Sequence, residues 1–208
     1  MKIAVVDSGI HAGHPHVGAV AGGVAMVGDD LTDRLGHGTA VAAAIREKAP
    51  DAELYAVKIF DRRLSTGIDT IVRALEWCVE QRMDVVNLSV GRANPDHRER
   101  VARVLANELI VVGVAGMLSS VIAVAPDKDC PRDVFRYRDG VFYASPYPRP
   151  IPGVPPERNL HGDSFAVANM TGFVAQAFGL LCPDSSGHLL AGLVEWAETG
   201  RMPRRIGA

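Results

Sequence analysis

The chain alternates short apolar runs with longer segments of helical periodicity. Good helix formers fill residues 40–48, 67–82 and 96–108. Apolar runs with the length of strands buried on both faces lie at residues 2–6, 24–27, 53–60, 84–89, 109–114 and 121–125. Strands that alternate with helices predict a parallel sheet with helices on both faces. We therefore predict an α/β fold, a three-layer sandwich around a mostly parallel, twisted sheet.

The last third of the chain departs from this rhythm. Six prolines fall between positions 146 and 156, so we predict an irregular surface segment over residues 126–160 with one strand at 141–144. Because this segment lies between core elements, we interpret its prolines as a stiff connector rather than a ligand for a proline-binding module. Two helices follow, over residues 164–181 and 187–198. The whole pattern predicts a single domain over residues 1–200 and a loose tail at 201–208.

Composition excludes several classes of partner. The 208 residues are 48% hydrophobic, enough for one domain with a substantial core, and the net charge of −2 gives no general attraction to nucleic acid or to an anionic membrane. No uninterrupted apolar run is long enough to span a membrane. The three cysteines, an odd number without a CxxC pair, predict neither a disulfide framework nor a structural zinc site. Free thiols and the lack of a visible secretion signal predict a cytoplasmic protein.

Three residues with complementary chemistry stand at the ends of predicted elements. Asp7 ends the first strand, His37 opens a helix between two glycines, and Ser164 opens the first of the two late helices. A serine nucleophile needs a base, and that base needs a carboxylate to hold its tautomer. The free amides and dipole at a helix N-terminus would also stabilise an oxyanion formed at the serine. We therefore predict a catalytic triad of Asp7, His37 and Ser164.

Five short motifs follow one another along the chain, and three of them contain Asp7, His37 and Ser164. They are Val5-Val6-Asp7-Ser8-Gly9-Ile10 with the following His14-Pro15, Gly36-His37-Gly38-Thr39, Val86-Asn87-Leu88-Ser89-Val90-Gly91, Ser120-Val121-Ile122-Ala123-Val124 and Gly162-Asp163-Ser164-Phe165-Ala166. Together they cover most of residues 1–181 and resemble the subtilisin-like serine proteases. The chain order Asp, His, Ser is also that of subtilisin.

The resemblance implies a serine endopeptidase that needs no cofactor or catalytic metal. It implies that Asp7 orients the imidazole, that His37 is the general base and acid, and that Ser164 is the nucleophile. It also implies that an extended peptide or precursor-protein substrate adds to a strand edge. The residues matching that substrate-binding region are Ser89, Val90, Gly91 and Gly116.

The departures from the family pattern predict a specialised member. Met117 stands where relatives carry the asparagine that completes the oxyanion hole, and methionine cannot donate that hydrogen bond. Asn87, Asn169, a backbone amide or a residue of a partner are alternative donors. Asp163 replaces a threonine, while Ala168 and Asn169 replace a proline and a histidine. The loop from Met117 to Ser120 is short, and we expect no separate pro-segment before the domain.

These departures lead us to expect a loop-trimmed protease that cuts a particular peptide or precursor. Removal of a leader during peptide maturation is one such task, performed alone or with a protein partner that completes the cleft. The alternative is a catalytically weak or inactive subtilase-like protein that binds peptides or acts as a scaffold. Met117 is the main support for this second hypothesis.

The polar residues allow three further interpretations. Asp7-Ser8-Gly9 also matches the short signature of aspartic proteases, but that interpretation leaves His37 and Ser164 unexplained. A metal site built from Asp7 and nearby histidines is less favoured than a polar loop; those histidines are His11, His14 and His16. An acidic loop could bind calcium but lacks the glycine-punctuated spacing of known calcium loops, so we favour a solvated loop; its residues are Asp29, Asp30 and Asp33.

Overall fold

A single, mostly parallel sheet forms the centre of the computed structural model, which describes residues 1–90, 95–105, 109–116, 118 and 120–203. Across the sheet the strands run β2-β3-β1-β4-β5-β6-β8-β7, and among these described strands only the pair β7–β8 is antiparallel. In chain order they are β1 (Lys2–Asp7), β2 (Gly22–Ala25), β3 (Glu53–Lys58), β4 (Val85–Leu88), β5 (Ile110–Val114), β6 (Ile122–Pro126), β7 (Arg136–Arg138) and β8 (Val141–Ala144).

Helices cover both faces of this sheet. They are α1 (His37–Lys48), α2 (Ile68–Glu80), α3 (Pro95–Leu105), α4 (Asp163–Leu181) and α5 (Ser186–Thr199), with a short 3-10 helix at Pro156–Arg158. Side chains of β1 alternate between the two layers. Ile3 and Val5 join the core beneath α1, α4 and α5, whereas Ala4 and Val6 join the core beneath α2 and α3. The predicted three-layer α/β fold is confirmed.

The element bounds differ from the predictions mainly in two places. The predicted strand at 24–27 begins two residues earlier, at Gly22. The segment over 126–160 contains a strand that the sequence pattern did not predict, β7, whose three residues pair with β8 at the sheet edge. Its two arginines are exposed on either side of a half-buried Tyr137, so the run lacks the apolar signature used for the other strands. The end of the helix predicted at 96–108 lies outside the described residues.

Helix α4 is the central helix of the protein. It has 19 residues and a mean hydropathy of 1.3, which by length and composition alone would suffice to cross a membrane. However, 72% of this apolar stretch is buried against the rest of the fold. Among the described elements it packs against α1, α5 and four strands of the sheet. Its burial is that of a core helix.

A buried polar cluster joins α1, α4 and the proline-rich segment. The Nζ of Lys48 donates to Oδ1 of Asn169 at 2.8 Å, and Nδ2 of Asn169 donates to the carbonyls of Ser145 and Tyr147, both at 2.9 Å. Burial and the nearby charge of Arg132 lower the pKa of Lys48 to about 8, although Glu47 acts in the opposite direction. The cluster thus holds an amine whose charged form is disfavoured by its surroundings.

We expect Lys48 to make stability depend on pH in the alkaline range. Its pKa is lower in the folded chain than in the unfolded one, so between about pH 8 and pH 10 the unfolded chain binds more protons. The free energy of unfolding should therefore rise with pH, by up to roughly 3 kcal/mol from this group. Denaturant unfolding at several pH values measures the free energy of unfolding of the chain with Lys48 and of its Lys48→Met variant. Both chains also carry Ser164→Ala to prevent self-cleavage, and the difference between their free energies isolates the effect of Lys48. A difference that stays flat above pH 8 contradicts the assignment.

Candidate active site

Asp7 ends β1, at the centre of the sheet. Its carbonyl accepts the amides of Ile59 and Phe60 at 2.8 and 3.3 Å, which fixes the end of the strand. Its side chain is fully buried. Oδ1 accepts hydrogen bonds from the amide of Ser8 at 2.7 Å, from the Ser8 hydroxyl at 3.2 Å and from Nδ1 of His37 at 2.8 Å. The carboxylate is therefore held rigidly and directed at the imidazole.

His37 is the first residue of α1, and its side chain is 15% exposed. Because Nδ1 donates to Asp7, the neutral ring carries its lone pair on Nε2, the atom that a base would use. The next residue, Gly38, lies so close to β1 that an added Cβ would come within 2.2 Å of the Gly9 carbonyl oxygen and 3.2 Å of the Asp7 carboxylate. Only glycine allows this approach of the two backbones.

Asp33 organises the loop that leads into His37. Its Oδ1 accepts the Ser8 hydroxyl at 2.8 Å and the amides of Leu35 and Gly36 at 3.0 and 2.8 Å. Its Oδ2 accepts the amide and the hydroxyl of Thr39 at 2.8 and 2.7 Å. The carboxylate thus caps the first turn of α1, which has no side-chain cap of its own.

The charges around His37 favour its protonated form. Burial by itself lowers the pKa of His37, but the hydrogen bond from the ring to Asp7 and the negative charges of Asp7 and Asp33 act in the opposite direction and prevail. The pKa of His37 is therefore raised above its ordinary value. A ring held in this way binds a proton readily and is stabilised while it carries it.

Ser164 lies in the first turn of α4 and is half-buried. The turn is anchored at Gly162, whose amide donates to the carbonyl of Pro146 at 3.0 Å. The ring of Phe165, the residue after the serine, lies 5.4 Å from the ring of His37, measured between centroids. The structure thus brings the start of α4 against the imidazole that Asp7 holds. Within the described chain, the Ser164 amide has no hydrogen-bond acceptor.

The carboxyl ends of the central strands lie at the same edge of the sheet. Val6 of β1 pairs with Leu88 of β4, so Asp7 and Ser89 follow side by side. Ser89 is half-buried and Val90 is buried. Gly116, two residues after β5, is exposed and has a φ of 82°. Two of the residues named from sequence, Gly91 and Met117, lie outside the described residues.

Two asparagines that the sequence offered as oxyanion donors are bound elsewhere. Asn87 is fully buried and donates to the Thr171 hydroxyl at 2.9 Å. Asn169 is fully buried within the Lys48 cluster. The Ser164 amide, at the open end of α4, remains a candidate donor.

The sequence predicted a solvated acidic loop, but two of its three aspartates are engaged in contacts with the protein. Asp30 forms an ion pair with Arg34 at 2.8 Å, and the fully buried Lys58 donates to the Thr32 carbonyl at 3.0 Å. Asp33 is engaged with the start of α1. Across the residues that the structure describes, no group of three or more His, Cys, Asp or Glu side chains is placed to hold a metal ion.

The sequence pattern of the subtilase family matches residues 1–125, more than half of the chain. The chain belongs to the subtilase family. It is 34% identical over 128 residues to a thermostable alkaline protease of Halalkalibacterium halodurans, covering 55% of this chain and 35% of that protein. It is 31% identical over 134 residues to an intracellular serine protease of Paenibacillus polymyxa, covering 56% of this chain and 41% of that protein. The matched region thus spans about a third to two fifths of these relatives.

The fold comparison extends over the whole subtilase chain. The solved structure of Sphericase superposes with a TM-score of 0.72 at 22% sequence identity, covering 100% of this chain and 86% of that one. This likeness includes the proline-rich segment and α4, which lie beyond the residues matched by the family pattern. A cold adapted subtilisin-like serine proteinase superposes with a TM-score of 0.69 at 16% identity, covering 98% of this chain and 86% of that one. The subtilisin-like fold therefore extends beyond residue 125 into the later elements that the structure describes.

Three residues near His37 were not assigned a role from sequence. Ser8 and Asp33 hold the loop before α1, and Phe165 packs on the imidazole. Asp33 lies three residues before Gly36, the N-cap of α1, so the preference for a carboxylate at the N-cap gave no signal for its contacts. The contact of Phe165 depends on how α4 packs and had no local signal.

The pKa of His37 can be tested by NMR without assuming any activity. We expect a pKa above about 6.5, the ordinary value, because the charges of Asp7 and Asp33 outweigh burial. Asp33→Asn should lower it, since one of these charges is removed. Ring carbon–proton signals, assigned with His37→Gln, give the titration curve. Asp29→Asn, a change in the same loop that leaves the Asp33 contacts in place, is the control. An unchanged His37 pKa in Asp33→Asn contradicts this account.

Proposed function

We propose that this subtilase is a serine endopeptidase acting through Asp7, His37 and Ser164. The observation that carries the proposal is the hydrogen bond from the His37 ring to the buried Asp7, with the neighbour of Ser164 packed on the same ring. The first contact supports His37 as a base oriented by a carboxylate, and the second supports a nucleophile at the start of α4 beside that base. Family membership supports the same reaction.

In this mechanism Ser164 attacks the peptide carbonyl while Nε2 of His37 takes its proton. Asp7 keeps its charge throughout, holds the tautomer and stabilises the imidazolium. The tetrahedral intermediate collapses to an acyl-enzyme, and His37 gives the proton to the departing amine. Water then attacks the ester by the same route in reverse. The raised pKa of His37 suits the step in which the ring carries a proton.

The N-terminus of α4 supplies the oxyanion site in this proposal. The amide of Ser164 and the helix dipole stabilise negative charge at the attacked carbonyl oxygen. Met117 contributes no side-chain donor. The substrate's extended backbone lies along the end of β4, beside Ser89 and Val90, and the register of β1 and β4 supports this placement.

We extend the proposal to the substrate and its location. The short loop after Gly116 and the unusual nucleophile motif favour one particular peptide or precursor over general digestion. A maturation protease of the cytoplasm fits the free thiols, of which Cys78 and Cys130 are buried. A protein partner would complete the part of the substrate cleft that the short loop does not form.

A fluorophosphonate probe tests the proposed nucleophile, because it reacts with an activated serine. The wild-type chain should be labelled rapidly and Ser164→Ala not at all. Asp7→Asn should slow labelling by about 10,000-fold, since the imidazole would be presented in the wrong tautomer. Ser186→Ala removes an exposed serine from the first turn of another helix and should leave the rate unchanged. Labelling that persists in Ser164→Ala would refute the assignment.

A second function, peptide binding with little or no catalysis, is favoured by Met117 alone. A preplaced donor at this position lowers the barrier more than it tightens substrate binding, so its absence slows turnover. The loss of such a donor from subtilisin, a member of this same family, costs about 100- to 1,000-fold. A chain this slow could still bind its peptide at the end of β4.

Met117→Asn separates the two functions. We expect the substitution to raise kcat at least several-fold with little change in KM, because the new amide acts mainly on the oxyanion. Met117→Leu, which offers no donor, is the matched control and should resemble wild type. Peptide turnover is measured with the folded variants. If Met117→Asn is well folded and no faster, another group already fills the oxyanion site or a different step limits the rate.

A further inference from the structure

A pocket of about 480 Å³ opens beside the proposed catalytic base. It lies between the loop after β1, the first turns of α1 and the proline-rich segment before α4. We name it the histidine pocket, since three histidines line it: His11, His14 and His16. Its size is within the range of pockets that bind small ligands or side chains.

The histidine pocket has buried apolar residues in its lining and partly exposed apolar residues at its opening. Ala43 and Pro148 are buried, whereas Ile151 and Leu160 are 48% and 50% exposed. The two exposed side chains belong to the proline-rich segment, so apolar surface flanks the opening. Apolar residues of a bound peptide, on either side of the residue that enters the pocket, would cover this surface.

The polar groups of the histidine pocket are mainly donors. Arg149 lines it, and among the residues that the structure describes no carboxylate pairs with its guanidinium. The imidazole of His14 accepts the amide of His16 on Nδ1 at 3.2 Å, so its neutral ring carries a proton on Nε2. The lining carboxylate, Asp33, already accepts five hydrogen bonds, two of them from Thr39.

A second carboxylate, Glu47, acts on His16 and is also engaged. Glu47 forms an ion pair with Arg132 and contacts Lys48 at 3.5 Å. Burial and the positive charges of Arg149 and His14 lower the pKa of His16, and Glu47 offsets this only in part. The pocket therefore presents a positive side chain without a negative partner.

We propose that the histidine pocket receives an acidic side chain of the peptide substrate, with its carboxylate on Arg149. This residue lies on the leaving-group side, the part of the peptide released as the amine. The inference rests on the proposed endopeptidase function. Charge complementarity decides the occupant, because a carboxylate satisfies the guanidinium bidentately and a neutral side chain does not.

The position of the pocket indicates which part of the substrate enters it, the acyl part or the part released as the amine. The acyl side of the substrate lies along the end of β4, but no residue of β4 lines the pocket. His37 protonates the departing amine, so the released segment continues past the imidazole. The wall of the pocket begins there, with Gly36, Thr39 and Ala40 of the same turn.

Partitioning of the acyl-enzyme tests this proposal. An activated peptide ester forms the acyl-enzyme, and tripeptide amides then compete with water for it. The three pairs of nucleophiles carry Glu or Gln at the first, second or third position of an otherwise leucine tripeptide amide. At one position the Glu peptide should be favoured about fivefold over its Gln counterpart, as expected for a surface ion pair. The preference should fall in 0.5 M salt, since salt screens exposed charges.

Arg149→Gln should abolish the preference for Glu, and Arg149→Lys should keep part of it. Arg158→Gln, which removes an exposed arginine from the same segment but outside the pocket, is the matched control and should keep the preference fully. Equal partitioning of Glu and Gln peptides at all three positions overturns the proposal. An equal loss of preference in Arg149→Gln and Arg158→Gln also overturns it.

A binding measurement separates this proposal from the proposed function. The same six tripeptide amides are titrated into Ser164→Ala, and binding is followed by NMR. Tighter binding of a Glu peptide that depends on Arg149 supports the pocket even if no acyl-enzyme forms with the wild-type chain. Catalysis together with equal binding of Glu and Gln peptides would leave the endopeptidase function standing and refute the acidic pocket.

Discussion

The geometry of the site depends on one buried carboxylate. Asp7 is fully inaccessible, and a carboxylate in such a place is costly unless its charge is compensated. Its Oδ1 accepts three hydrogen bonds, whereas within the described chain its buried Oδ2 has no hydrogen-bond partner. The backbone and hydroxyl donors of Ser8 are uncharged, so the carboxylate favours a proton on the imidazole that it holds. Burial lowers the pKa of His37, but the hydrogen bond to Asp7 and the charges of Asp7 and Asp33 prevail and raise it.

Two helices, α1 and α4, carry the residues on either side of the site, and a hydrogen bond joins them. Helix α1 carries His37 at its start and Lys48 at its end. Helix α4 carries Ser164 at its start and Asn169 a turn and a half later. The Lys48–Asn169 hydrogen bond therefore joins the two helices that carry the proposed base and nucleophile. The same asparagine holds the carbonyls on either side of Pro146, whose own carbonyl anchors Gly162 before the serine.

The sequence predicted the elements whose signals are local. Buried strands and amphipathic helices are read from apolar spacing, and the positions of Asp7 and His37 follow from the strand end and the helix start that flank them. Contacts made across long stretches of chain had no such signal. Lys48 meets Asn169 across 121 residues, and neither residue type suggests a buried cluster by itself.

The polar loop before α1 shows a second limit of sequence reasoning. Asp30 and Asp33 look alike in the sequence, and a solvated loop was expected for both. Asp30 is paired at the surface with Arg34, whereas Asp33 folds inward onto the backbone of α1. The difference comes from Ser8 and Thr39, which reach Asp33 from opposite sides. Hydrogen-bond satisfaction in three dimensions, rather than composition, decides which acid is structural.

The proposed features combine into one account of selectivity. A protease that lacks a side-chain donor at Met117 has less stabilisation for the oxyanion, so most peptides react slowly. Binding energy from a part of the substrate distant from the reacting bond can be used to position that bond and so raise kcat. In the proposal, the acidic side chain that enters the histidine pocket is not itself part of the reacting bond, and its binding would help to align the departing amine beside His37. Weak oxyanion stabilisation together with a charged remote pocket would therefore make turnover depend on substrate sequence more strongly than either feature alone.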